Sequence, residues 1–398
     1  MNAKLAITPE EYALRRKTLL ERLQDEEIEG FVSFTHPAAF YLTGFSFAPT
    51  ERPTALVVLP DDAPILFLPH LEIEHARSAC PEAEVVTYPE YPGEVHPMNQ
   101  FAEILRERGL ERVRLGTDAK GYGSSQGYQG PDLEAVLPDV TLITRPREIE
   151  KMRMVKSERE IELIRESARW GNLAHTLLQE YCAPGRTENE VSMRASSEAT
   201  QAMMETLGTA YVPQGGSGAN TGFRGQIGAH SALPHALNID AVMREGDNLV
   251  TGAGSNVGGY GSELERTMFL GEPSRTQRRH FEYMLEMGEA ALDAIVPGEP
   301  CSTVDRAVNR VFDRYDLWDK WRHHTGHALG LLGHEAPFFD VGDDTIMEPG
   351  MVFSVEPGVY VPGLGGFRHS DTVLVTENGV EMITYYPRDI DSLTIAVH

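Results

Sequence analysis

The chain has 398 residues, a formal charge of −25, 41% hydrophobic and 24% charged residues, and three cysteines. Its length allows two domains and a large core, and its acidic excess argues against nucleic acid or an anionic membrane surface as the working partner. Cys80, Cys182 and Cys301 lack ligand spacing and fit a reducing compartment; no apolar run marks a membrane span, and the opening MNAKLAITPEEY lacks a basic-then-apolar leader, so a cytoplasmic location is expected.

In chain order, Pro9 to Gln24 reads as a helix. Thr8 is its cap, Glu11 completes a capping box, and Leu14, Leu19, Leu20 and Leu23 form the apolar face. Strand-like runs follow at Gly30–Phe34, Thr54–Leu59, Pro64–Leu68 and Ala83–Tyr88, then a helix at Met98–Arg108 and a strand at Val113–Thr117. This alternation predicts an α/β domain over about the first 150 residues, with no phosphate loop or dinucleotide fingerprint. Lys151 to Ser157 reads as the joint to a second domain, 151–398. There Ser157 and Glu160 cap a long helix, and Thr187 and Glu190 open another. A glycine-rich loop, Gly215 to Gly228, precedes strand-like segments. Helices at Thr276–Ile295 and Ser302–Tyr315 lead to a strand-rich end. Paired helices followed by strands, twice over, predict an α+β second half built from duplicated helix–helix–strand units.

The stretch Leu249–Thr267 reads as two strands joined by the glycine turn Val257-Gly258-Gly259-Tyr260. Period-two alternation puts Glu263, Glu265 and Thr267 on one face. Adjacent carboxylates on a largely apolar strand repel unless a cation or hydrogen-bond donors hold them, so this face is the candidate site. Four later or flanking segments add imidazole and carboxylate among glycines: Ser231–His235, Thr325–Glu335 with His327 and His334, Ser354–Gly358 with Glu356, and Gly366–Asp371 with Arg368. Glycine lets backbone approach a ligand, and imidazole with carboxylate is the usual equipment for proton transfer near neutral pH.

In this order the segments MRMVKSERE, TQAM, SALPHA, GHALG, HE-x-P, EPGMVFSVEPG and DTVLVTENG resemble the creatinase, prolidase and aminopeptidase P superfamily, the pita-bread hydrolases. The resemblance implies an N-terminal α/β creatinase-like domain and a C-terminal pita-bread catalytic domain. Its peptidases hold two metal ions with Asp, Asp, His, Glu and Glu. Here those positions read Gly252, Glu263, His327, Glu356 and Ser370, so two donors are missing.

Those departures resemble the creatinase branch, which works without metal and carries an ALERT motif; this chain has Leu264-Glu265-Arg266-Thr267. That branch implies Glu265 and Glu356 as carboxylates for a guanidinium-like group, His235 as the proton-moving base, and His334 and His327 beside it. It also implies Arg52, in Arg52-Pro53-Thr54-Ala55-Leu56-Val57-Val58, as a fork for the substrate carboxylate reaching across a homodimer. Glu263, Tyr260 and Arg368 complete the expected substrate contacts. The chain is therefore expected to hydrolyse a C–N bond in a small carboxylate-bearing molecule, a creatine-like amidine or amide, with no cofactor. The alternative is an Xaa-Pro dipeptidase or aminopeptidase with one divalent ion (Mn, Fe, Co or Zn) on Glu263, His327 and Glu356. A lyase and a non-catalytic binding module are the remaining readings.

Overall fold

The computed structural model describes residues 5–124, 126–214 and 218–397, so part of the glycine-rich loop that begins at Gly215 lies outside the described residues. The chain divides into two compact units, Ile7–Arg153 and Met154–His398 with Met1–Ala6.

The first unit is built on a six-stranded sheet. Its strands are β1 (Gly30–Ser33), β2 (Ala55–Val58), β3 (Ile65–Pro69), β4 (Glu84–Tyr88), β5 (Arg114–Thr117) and β6 (Thr141–Thr144), in the order β4-β3-β2-β1-β5-β6. The β1–β2 and β2–β3 pairs are antiparallel and the remaining three are parallel. Every residue of β1, β2 and β3 is buried, as expected for strands covered on both faces. Val32, Val57, Phe67, Phe101, Leu105 and Leu115 form its core. Thr8 accepts the Glu11 backbone N–H and caps the helix Pro9–Arg22. Two helices, His36–Thr43 and Ile73–Ala79, and strand β6 have no counterpart in the sequence reading. His36–Thr43 is buried at six of its eight positions. It therefore carries no polar stripe from which a helical period could be read.

The second unit repeats one plan. The helices Glu158–Tyr181 and Glu188–Leu207 precede β7 (Ala219–Gly222), β8 (Asn248–Val250), β9 (Gly252–Val257), β10 (Tyr260–Gly261), β11 (Leu264–Glu265) and β12 (Thr267–Leu270). The helices Arg275–Ala294 and Ser302–Tyr315 precede β13 (Gly326–Ala328), β14 (Glu335–Phe339), β15 (Val352–Val355), β16 (Gly358–Val361), β17 (Gly365–Arg368), β18 (Ser370–Thr376) and β19 (Gly379–Met382). Capping boxes at Ser157/Glu160 and Ser274/Gln277 start one helix of each pair. The main sheet runs β10-β9-β11-β18-β15-β13-β14, so strands from the two repeats meet where β11 pairs β18. Phe281, Met284, Phe312, Phe339 and Phe353 pack beneath it. No helix among the described residues is long and apolar enough to cross a membrane.

Candidate functional site

The β11–β18 seam positions the site. Leu264 pairs with Asp371 and Glu265 with Ser370, while His327 on β13 pairs with Ser354 on β15. Behind the seam, the fully buried Arg266 forms an ion pair with Asp371 at 2.7 Å and donates to the carbonyls of Ser370, Pro387 and Tyr386. The ALERT-like arginine is thus a clamp that welds the strands together. The Thr372 hydroxyl accepts the Glu263 N–H at 2.9 Å and donates to the Glu263 carbonyl at 2.8 Å, which fixes the backbone just before β11. Glu356 follows β15, its N–H donated to the Thr325 carbonyl.

Two corners of this surface differ. In the first, Arg368 reaches Glu265 with two N–H groups, Nε to Oε2 and Nη2 to Oε1 at 2.9 Å. Arg224 Nη2 donates to the same Oε1 at 2.8 Å. Arg368 Nη1 also donates to the Tyr360 hydroxyl at 3.0 Å, which in turn donates to His323 Nε2 at 2.7 Å. His323 Nδ1 meets the His324 carbonyl at 2.8 Å and so carries the proton, which leaves Nε2 to accept. Burial opposes the Arg368 charge, but Glu265, Tyr360 and Glu356 outweigh it and hold the guanidinium firmly protonated.

The second corner contains Glu263, His327, His334 and Glu356. Ser354 and Ser370 hydroxyls donate to Glu263 Oε1 at 2.7 Å each and lie 2.6 Å apart. The His327 and His334 rings stack with centroids 3.7 Å apart. His327 is fully buried, and its Nδ1 points at the Ala328 carbonyl at 3.0 Å. Its Nε2 lies 3.2 Å from Glu356 Oε1 but makes no hydrogen bond of acceptable geometry. Burial works against a charge on His327, yet Glu356 and Glu263 prevail and raise it to about 9. Burial pushes Glu356 up, but His327, Arg368 and His323 bring it down to about 2. An imidazole whose Nδ1–H is spent on a carbonyl and whose Nε2 faces carboxylates needs a cation or a proton at Nε2.

The sequence-derived candidates divide accordingly. Ligand atoms of Glu263, His327 and His334 lie within 4.8 Å of one another, as do those of Glu263, Glu265 and Glu356. His235 is exposed, near enough to His334 to bear on its charge. Gly252 and Ser370 both border the cluster: a Cβ on Gly252 would sit 3.6 Å from Glu265 Oε1. Three expected contacts need correction. Tyr260 turns its hydroxyl to Glu160 at 2.7 Å and is buried against the helix Glu158–Tyr181. Arg368, 2% exposed, is spent on Glu265 and Tyr360 rather than open to a substrate. Glu265 is already paired with two of the protein's own guanidiniums, which stand where a ligand's guanidinium was expected. In the first unit, the Arg52 fork is taken by Glu90 at 2.7 and 3.2 Å and by Glu51 at 2.7 Å. The sequence reading missed Arg224, Tyr360 and His323. The φ of 53° at Arg224, beside Gly225, was unreadable in advance, and Tyr360 and His323 lie in segments without a repeated motif.

The donor chemistry suits one divalent ion. The second corner supplies carboxylate and imidazole with His327 Nε2 facing inward, where a cation would take the place of the proton that the carboxylates hold on it, whereas Gly252 has no donor and the Ser370 hydroxyl is turned to Glu263. Residues 162–377 match the model of metallopeptidase family M24, and residues 15–155 that of the creatinase/prolidase N-terminal domain. The chain is 30% identical to a probable dipeptidase PepE of Mycobacterium tuberculosis over 96% of both chains. It is 26% identical to a putative dipeptidase YkvY of Bacillus subtilis, over 89% of this chain and 93% of that one. The prolidase of Pyrococcus furiosus superposes with a TM-score of 0.74 at 27% identity, covering 92% of this chain and 99% of the other. These findings overturn the expectation of a cofactor-free, metal-independent enzyme, since the matched family and its prolidase members point to divalent metal. They also favour peptidase over creatine-like chemistry, in keeping with the filled Glu265 corner. The chain belongs to metallopeptidase family M24, with the creatinase-like N-terminal domain and pita-bread domain of that superfamily, and is a hydrolase acting on C–N bonds.

Proposed function

We propose that the chain is a metal-dependent dipeptidase of the prolidase kind, cleaving Xaa-Pro or similar dipeptides with a single divalent ion held by Glu263, His327 and Glu356. The observation that carries this reading is the buried Nε2 of His327, aimed at Glu356 without a hydrogen bond. A divalent ion bound there supplies Lewis acidity, polarising a carbonyl and acidifying water at neutral pH. The chain's own residues do the rest. Ser354 and Ser370 orient Glu263 through its Oε1. Burial lowers His334 below the usual imidazole range, so its ring is free to take the proton released by the attacking water and pass it to the leaving nitrogen. His235, exposed beside it, serves the same transfer at the mouth. Arg368 and Glu265 act as a fixed pair that holds the seam.

A cytoplasmic location belongs to this reading and rests on three buried, unbridged cysteines. So does a homodimer, for which a solution mass twice 44.1 kDa is the expected result. The deciding experiment measures metal content of the purified protein and proline release from Leu-Pro and Ala-Pro, with and without chelator. One ion per chain and loss of turnover on chelation are expected. Turnover by metal-free protein, or no dipeptide cleaved after metal loading, overturns the proposal.

A further inference from the structure

We propose that Arg224 is the anchor for a peptide's free α-carboxylate, which makes it the residue that selects substrates by length. The inference rests on the single-ion reading above. Glu265 already receives two N–H groups from Arg368, so a third donor is not needed to satisfy it. Arg224 nevertheless touches it through Nη2 alone, at 2.8 Å, with a long 3.4 Å contact to Gln226. Its Nε and Nη1 bond no protein group among the described residues, and the side chain is 53% exposed. A guanidinium tethered by one nitrogen with the rest of its fork turned to solvent is a ready carboxylate receptor.

Charge and distance agree. With one divalent ion in place, Glu263, Glu265 and Glu356 are balanced by that ion and Arg368, so the Arg224 charge is left over for an anion. Glu265 lies within 4.8 Å of the Glu263 and Glu356 ligand atoms. Arg224 therefore sits about two residue lengths or less from the reacting carbonyl, the span of a short peptide's final residue and its carboxylate. The backbone is arranged to keep it there. Arg224 adopts a left-handed φ of 53°, sparsely populated for a side chain of this size. The next residue, Gly225 with φ 75°, packs so closely on the Leu237 carbonyl that a Cβ would sit 2.1 Å from it. That packing seats the Arg224 turn on the segment carrying Leu233 and Leu237, 52% and 80% exposed. The carboxylate recognised would thus belong to a residue flanked by an apolar rim.

Calorimetric titration of metal-loaded protein with L-proline, L-leucine, L-prolinamide and L-leucinamide tests this, in the wild type, Arg224→Gln and Arg224→Lys. The free acids should bind wild type about tenfold or more tightly than the amides. That preference should vanish in Arg224→Gln and return in part in Arg224→Lys. A merely structural role at Glu265 would weaken acids and amides alike. Preserved acid preference in Arg224→Gln, no preference in wild type, or no binding by any probe overturns the assignment. Acid preference that depends on Arg224 in a protein that cleaves no dipeptide upholds it and sinks only the peptidase reading.

Discussion

The two corners of the site contain similar acids and reach opposite outcomes. Around Glu265 the carboxylate meets Arg368 and Arg224, so its charge is neutralised within the chain. Around Glu263 and Glu356 the nearest cationic partners are imidazoles, with Arg368 farther off at 3.8 Å from Glu356, and one imidazole has a buried nitrogen without a hydrogen bond. A buried ion pair with its hydrogen bonds made is a finished structure. A buried imidazole nitrogen that faces carboxylates without a hydrogen bond is an unfinished one, and the metallopeptidase family match points to a divalent metal as its partner.

The sharpest test of the closed corner is Arg368→Met, which strands Glu265 with a single exposed arginine. Removing one member of a buried pair costs about 3–5 kcal/mol, whereas the double variant Glu265→Gln/Arg368→Met should recover much of the loss. Denaturant midpoints for the three proteins measure this; equal stability of the single and double variants would break the comparison. At the open corner His327→Ala should do the reverse. Stability should change less than in Arg368→Met, bound metal should fall to background, and kcat/KM should drop on the order of a thousandfold. Mass spectrometry and dipeptide assays together read this out.

A pH titration separates the corners further. Burial outweighs Glu356 and lowers His323 to about 4 from 6.5. Its contribution to stability is therefore complete above about pH 6.5 and is lost as the pH falls toward 4, because the unfolded chain binds the proton first. His323→Gln should flatten the acid limb of the stability curve in that window, and an unchanged limb would remove His323 from the closed corner. The smallest effect belongs to Ser370→Ala. Ser354 still donates to Glu263, so metal affinity should weaken by about tenfold, the lower end for groups that orient a ligand.

Much of the first unit was legible because its strands are short apolar runs bounded by turns and Thr8 caps its first helix, and in the second unit Ser157 carries a complete capping box. The helix His36–Thr43 was not, being apolar on every side. At the site, residue types and their order sufficed to gather Glu263, Glu265, His327, His334 and Glu356. Tyr260, by contrast, sits one residue from a plausible position and turns to Glu160, because strand register decides the face and no local pattern states the register.

By itself, then, the sequence determined the two-domain plan and the repeated helix pairs. These depend on residue type, capping and periodicity, which act over a few neighbours. Only the tertiary structure decided that Arg368 and Arg224 close over Glu265 while His327 stays open to Glu356. Arg224 and Glu265 are 41 residues apart and Arg368 and Glu265 are 103, and nothing local to either end specifies such a pairing. Where a buried charge finds its counter-charge depends on which strands become neighbours, and that choice is made by the whole fold.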